Sequence, residues 1–181
     1  MTDATFEAFV RTHQHMVFAT AVRLLGNPAE AEDVAQTVFL KAFERFAEIG
    51  ASDTAAGWLR TVTRNLCLNH LSRYRSRWRL FSELRRSGSN DDDDEDMAAL
   101  AVDRSSPGLA LEAAERHAQL EQALRHLPTH QRVPLVLFHF EQARYEEIAV
   151  TLGVSVGKVK TDIHRGREAL RKYLAADDGI R

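Results

Sequence analysis

Apolar positions recur at intervals of three and four along most of this chain, the pattern of amphipathic helices. From Thr5 to Leu25 the recurring set is Phe6, Phe9, Val10, Val17, Leu24 and Leu25, and Gly26-Asn27-Pro28 stops it. Ala29 to Ile49 repeats the behaviour. Val34, Val38, Ala42, Phe43 and Phe46 form its inward stripe, with Glu32, Asp33, Gln36, Lys41 and Glu44 on other faces. The small, polar stretch 49–57, IGASDTAAG, reads as a loop. From Trp58 the period resumes, with Leu59, Val62, Leu66 and Leu71 inward and Arg60, Arg64, Asn65, Asn69 and Arg73 outward. Three helices around one small core is the simplest architecture for residues 1–80.

Residues 82–108 lose the period. Their Ser, Gly, Asp and terminal Pro-Gly bury too little apolar surface to offset chain entropy, so they read as a flexible acidic linker. A coil of this length has a root-mean-square span of roughly 30 Å, which lets the two flanking parts reach separate sites. From Leu109 the helical pattern returns with Ala113, Leu120, Ala123, Leu124 and Leu127, and Pro128 breaks it. Thr129 is placed to cap the next helix, which carries Val133, Leu135, Val136, Leu137 and Phe138, with Pro134 expected near its first turns. No stretch reads as a strand. The expected fold class is all-α: two small helical domains joined by a flexible acidic linker.

After the short connection 141–143 comes RYEEIAVTLGVSVGKVKTDIHRGREALRKYL, from Arg144 to Leu174. Ile148 and Leu152 share a face, Ala149 is small beside them, and Gly153 stands where a left-handed residue ends a helix. Beyond the turn, Val159, Ile163 and Leu170 make a stripe, opposite Lys158, Lys160, Thr161, His164, Arg165 and Arg167. Ala149, Gly153 and Val159 have the spacing of a helix-turn-helix whose second helix enters a DNA major groove. An amphipathic hairpin with a solvated charged face is the plainer alternative.

The net charge of −2 hides an uneven distribution. Arg60 to Arg86 holds eight arginines against one acid, 91–96 is six acids in a row, and Lys158 to Lys172 holds six bases against Asp162 and Glu168. The lone Cys67 rules out an internal disulfide and suits a reducing compartment. No apolar run is long enough to span a bilayer, and the N-terminus lacks a signal-peptide pattern, so a cytoplasmic location without membrane insertion is expected. His13 and His15 diverge on a helix, and Pro128 lies between His126 and His130, so no metal or other cofactor is expected. With no phosphate-binding glycine loop, no GxSxG and no base to activate Cys67 or a serine, an enzyme is not expected. Between Arg60 and Trp78, arginine, asparagine and aromatic residues interleave as in surfaces that grip phosphates and stack bases. A solvated helix end, an RNA-binding surface and a partner surface fit that block equally.

Two separated stretches resemble one family. AEDVAQTVFLKAFERF (31–46) with GWLRTVTRNLCLNHLSRYR (57–75) is similar to region 2 of sigma-70-type transcription initiation factors. LPTHQRVPLVLFHF (127–140) with the helix-turn-helix segment is similar to region 4. Having these two regions alone, the chain resembles the extracytoplasmic-function (group IV) sigma factors. The resemblance implies a region 2 domain over 1–81, a linker over 82–108, a region 4 domain over 109–175 and a tail over 176–181. It implies core RNA polymerase as partner, through the beta-prime clamp helices and the beta flap, with Glu32, Asp33, Gln36 and Phe39 on the docking surface. It assigns Trp58, Arg60, Arg64, Asn65, Asn69 and Arg73 to the −10 element, read as a single strand. Lys160, Thr161, His164 and Arg165 go to the −35 element, with Lys158 and Arg167 nearer its backbone. Promoter DNA, an anti-sigma factor and a monomeric free state complete the expectation. A two-domain helix-turn-helix regulator that binds DNA without polymerase is the alternative.

The chain departs from the family pattern at Arg144, Lys158, Asp162 and Gly166. Gly166 costs a helix about 1 kcal/mol relative to Ala. Asp162 repels phosphate unless it accepts a hydrogen bond from cytosine N4 or pairs with a neighbouring base such as Arg165. The acidic run 91–96 reads as a solvated spacer, although by resemblance such a linker enters the polymerase channels, where its charge would mimic RNA.

Overall fold

The computed structural model describes residues 3–72 and 107–178, all helix and turn. The chain divides into two compact units, Met1–Ser76 and Arg77–Arg181. The acidic run 91–96, the arginines from Arg73 to Arg86 and nearly all of the expected linker lie outside the described residues.

In the first unit, α1 (Asp3–Leu25), α2 (Pro28–Glu44) and α4 (Ala55–Ser72) pack pairwise around Val17, Ala21, Leu24, Val38, Ala42 and Leu59, all fully buried. Gly26 takes the left-handed conformation that closes α1. The Asn27 side chain then accepts a hydrogen bond from the Ala29 N–H at 3.0 Å, and Pro28 fills the first helical position, so one tetrapeptide ends a helix and starts the next.

The single helix expected over 29–49 is broken. At Arg45 the backbone leaves helical geometry, its N–H turns to Ala42 O, and a short α3 (Phe46–Ile49) follows. The turn carries Phe46 edge-on against Phe6 and Phe9 of α1, at centroid distances of 5.1 and 5.4 Å. Phe43, expected in the inward stripe, is 48% exposed and rests its ring edge-on against Phe6. Gly50 is held to glycine by closeness, since a Cβ there would fall 2.6 Å from the Phe46 ring.

The loop expected over 49–57 is shorter, because α4 begins at Ala55. Its entry is organised by hydroxyls: Ser52 and Thr54 bond each other at 2.8 Å, and Ser52 accepts from the Thr54 N–H. The buried row of α4 is Ala55, Leu59, Thr63 and Cys67, with Val62 and Leu66 only half-buried. Thr63 tolerates full burial because its hydroxyl donates to Leu59 O at 2.7 Å.

In the second unit, α8 (Val156–Asp178) packs against α5 (Pro107–His126), α6 (Thr129–His139) and α7 (Tyr145–Leu152). Pro128, and not Thr129, holds the N-cap position of α6, with extended backbone. Pro134 is therefore the sixth residue of α6, beyond the first turn where its missing N–H would have been harmless. The helix runs through it to His139, held by burial of Val133, Leu135, Val136 and Leu137.

Where α6 meets α8 the backbones approach at Gly166. A Cβ added there would lie 2.8 Å from Leu135 Cδ1 and 3.4 Å from Gln131 O, and Leu135 is fully buried. The glycine's propensity cost is thus tied to helix approach. Gly166→Ala gains about 1 kcal/mol of helix propensity but meets overpacking worth about 1–3 kcal/mol. The expected net result is a lower thermal midpoint for the second unit; a rise would overturn the close-approach explanation.

Candidate nucleic-acid and partner interfaces

On α2, Glu32, Asp33 and Gln36 are exposed and Phe39 is half-buried. At about 100° of rotation per residue they share an arc with Leu40 and Phe43. Leu40 is 67% exposed and Phe43 48%, so the face is acidic toward the helix start and apolar toward its end. Neither apolar residue was among the expected docking residues. Their signal was available in the spacing, because Gln36, Leu40 and Phe43 follow one another by four and three.

On α4 the expected −10 residues separate into two rows. Trp58, Asn65 and Asn69 lie along one side, with both asparagines exposed and Trp58 half-buried. Arg60 and Arg64, four apart, lie along the other; Arg60 is exposed and Arg64 half-buried. Five residues of helix turn the Arg60 row about 140° away from Asn65, so the two rows flank the helix rather than form one patch. Arg73 lies outside the described residues.

The helix-turn-helix comprises α7, the turn at Gly153 and α8. Arg144, at the N-cap of α7, offers no acceptor, and Glu147 compensates by reaching back to accept the Arg144 N–H at 2.9 Å. Gly153 is left-handed, with φ of 67°, and its N–H and that of Val154 close on Val150 O and Ala149 O. Ser155 Oγ accepts the Lys158 N–H at 3.2 Å and caps α8. Ile148, Ala149, Leu152, Val159, Ile163 and Leu170 bury the inner face.

The outer face of α8 is narrower than the residue types suggest. Lys160 and His164 are exposed, and Thr161 and Arg165 are half-buried on the same solvent arc. The Lys160 ammonium stands 5.4 Å from the centre of the Tyr145 ring, and the Thr161 hydroxyl donates to Gly157 O. Arg167 departs from its expected place. It is 8% exposed, its Nε donates to His139 Nε2 at 3.2 Å, and its guanidinium lies over the Phe138 ring. Eight residues after Val159, it falls on a shoulder of the buried stripe, where it ties α8 to α6. Asp162 is also buried, on the other shoulder, and receives the Lys158 ammonium at 2.7 and 2.9 Å. Of the pairings open to Asp162, the helix uses Lys158 and not Arg165.

Among the described residues, no group of three His, Cys, Asp or Glu is placed to hold a metal ion, and no helix is long and apolar enough to cross a membrane. Cys67 is fully buried.

Comparison with known proteins bears on both units. The family model for sigma-70 region 2 matches residues 9–78, and that for sigma-70 region 4 matches residues 117–170. The ECF RNA polymerase sigma factor SigE of Mycolicibacterium smegmatis is 36% identical over 171 residues; the match covers 94% of this chain, which spans 62% of that protein's length. The RNA polymerase sigma-H factor of Pseudomonas aeruginosa is 31% identical over 174 residues, covering 93% of this chain and 86% of that protein. Among solved structures, the sigma factor RpoE of Bartonella quintana, crystallised in complex with the anti-sigma factor NepR, matches with a TM-score of 0.47 at 22% identity, over 95% of this chain and 98% of that one.

Proposed function

Because the chain belongs to the sigma-70 family of RNA polymerase sigma factors, in its extracytoplasmic-function branch, and so directs polymerase to promoters, we propose how its surfaces divide that work. The α2 face of Glu32, Asp33, Gln36 and Phe39, extended by Leu40 and Phe43, docks on the clamp helices of the beta-prime subunit. On α4, the Trp58, Asn65 and Asn69 row captures the opened −10 strand, while Arg60 and Arg64 grip its backbone. Helix α8 enters the −35 major groove with Lys160, Thr161, His164 and Arg165 toward the DNA, and its unit sits on the beta flap. The chain contributes binding and no chemistry of its own, acts in the cytoplasm where polymerase is, and is a monomer when free. An anti-sigma factor is its expected antagonist.

The observation that carries this reading is the presence of both family regions, in order, in one chain whose second unit holds a helix-turn-helix closed by a left-handed Gly153. In vitro transcription with core enzyme over a random-promoter library tests it. One promoter class with a preferred sequence at −35 and another at −10 is expected. Asn65→Ala should relax preference at one −10 position, at a cost of about 1–3 kcal/mol for a base edge left without its hydrogen bond, and leave the −35 preference intact. Tight sequence-specific duplex binding by the chain alone, with no association with core enzyme, would support a polymerase-independent regulator instead.

A further inference from the structure

The recognition helix presents two cations within helical reach of Asp162, namely Lys158 four residues before it and Arg165 three after. Asp162 engages Lys158 through both carboxylate oxygens, at 2.7 and 2.9 Å. The side chains are only 7% exposed for Asp162 and 29% for Lys158, unlike an ion pair held in open water. A carboxylate so far withdrawn from solvent holds its partner firmly, because losing the ammonium leaves a charge desolvated and uncompensated. Helical rotation explains the direction of the pull. Lys158 leaves the backbone near the edge of the arc shared with Arg165, while Asp162 lies closer to the buried stripe, so the ammonium is drawn inward.

We propose that Asp162 is a positioning residue that holds Lys158 away from the DNA phosphates, so that α8 makes one backbone contact fewer than its sequence suggests. This rests on α8 being the −35 reader. Phosphate contacts add affinity for every sequence alike and set the salt dependence of binding, whereas base contacts distinguish sequences. Withholding Lys158 lowers the sequence-independent affinity of the second unit and leaves discrimination to Lys160, Thr161, His164 and Arg165. The Asp162 carboxylate is spent on Lys158, so it is no reader of cytosine.

The test uses holoenzyme assembled from core polymerase and the full chain, binding a promoter duplex and a duplex with scrambled −35 sequence across a salt series. Asp162→Asn is expected to steepen the slope of log K against log salt by about 0.9 on both duplexes, the increment for one added phosphate contact. Lys158→Met is read in the Asp162→Asn background, where it leaves no carboxylate unpaired. The double variant, which restores the wild-type net charge, is expected to return to the wild-type slope. A slope that stays steep in the double variant would assign the gain to relief of carboxylate repulsion and overturn the proposal. So would a slope in Asp162→Asn no steeper than that of the wild type, in holoenzyme that still prefers the promoter duplex. A wild-type holoenzyme that does not prefer promoter to scrambled duplex would overturn the reading of α8 itself; normal preference with either contrary slope overturns the positioning role alone.

Discussion

Leu40→Asp is expected to weaken binding to core RNA polymerase by about 2 kcal/mol or more, roughly thirty-fold in Kd, while leaving the fold nearly untouched. The two effects separate because Leu40 is 67% exposed in the free chain. Little apolar burial is lost within the first unit, and exposed substitutions of this kind stay near 0.5 kcal/mol in stability. At the proposed interface the same position lies between Gln36 and Phe43, the apolar end of a face that begins with Glu32 and Asp33. Docking removes the exposed leucine from water, a gain that aspartate forfeits, and an aspartate buried there must be desolvated without a partner. Phe43→Ala would be a less clean probe, since that ring also packs against Phe6. Competition for core enzyme against the wild-type chain, paired with a thermal melt, checks both halves. Wild-type affinity in a normally folded Leu40→Asp variant would remove this face from the docking surface.

How far the fold was readable varied with the kind of force at each position. Helix positions followed from periodicity because burial of Val17, Val34, Val38, Leu124, Ile148 and Ile163 dominates their energetics, and a spacing of three and four is a direct image of that burial. The helix-turn-helix was equally open, since Gly153 sits where only a left-handed residue closes the turn. Departures arose where apolarity was read ahead of helical rotation and of hydrogen bonds within a helix. Phe43 has the apolarity of the inward stripe, yet five residues after Val38 the helix has turned it about 140° away from that buried side, and it stays 48% exposed. Thr63 and Cys67 displaced Val62 and Leu66 from the buried row of α4, because a threonine that bonds its own helix can be buried at little cost.

The candidate site shows the same division. Residue type placed Lys160, Thr161, His164 and Arg165 on the outer face of α8, and the structure places them there. Residue type also placed Arg167 there, but His139 and Phe138 on α6 recruit it to the interior. Asp162 is an anomalous residue type for a DNA-facing position, and its burial against Lys158 removes the anomaly. On α4 the resemblance assigns the −10 residues as one set; only helical rotation separates the asparagine row from the arginine row. Charge alone cannot tell a guanidinium that faces solvent from one that closes a core, because both obey the same local spacing.

Arg132 is the strongest instance of that ambiguity, and Arg132→Met is expected to lower the stability of the second unit by about 2–3 kcal/mol. The residue is 5% exposed, and its guanidinium donates to Leu127 O at 2.8 Å and to the Thr129 hydroxyl at 3.4 Å. Leu127 lies just past the last turn of α5, where carbonyls lack helical partners, so the side chain closes the corner between α5 and α6. Helical spacing from Arg132 reaches Leu135 and Val136, both buried, which is how a charged residue comes to lie on an apolar face. Methionine matches much of the volume but supplies no donor, so the penalty is chiefly that of carbonyl and hydroxyl groups left buried without the guanidinium. For a unit of this size each kcal/mol moves the melting midpoint by roughly 4–8 °C, which puts the expected fall at about 8–24 °C. The first unit does not depend on this corner, so core-enzyme binding through α2 should persist at temperatures where the variant's −35-dependent transcription is lost. Calorimetry of the full chain, resolved into its two transitions, alongside transcription from promoters with and without a −35 element, separates these effects. An unchanged second transition would show that Arg132 is dispensable to the corner it spans.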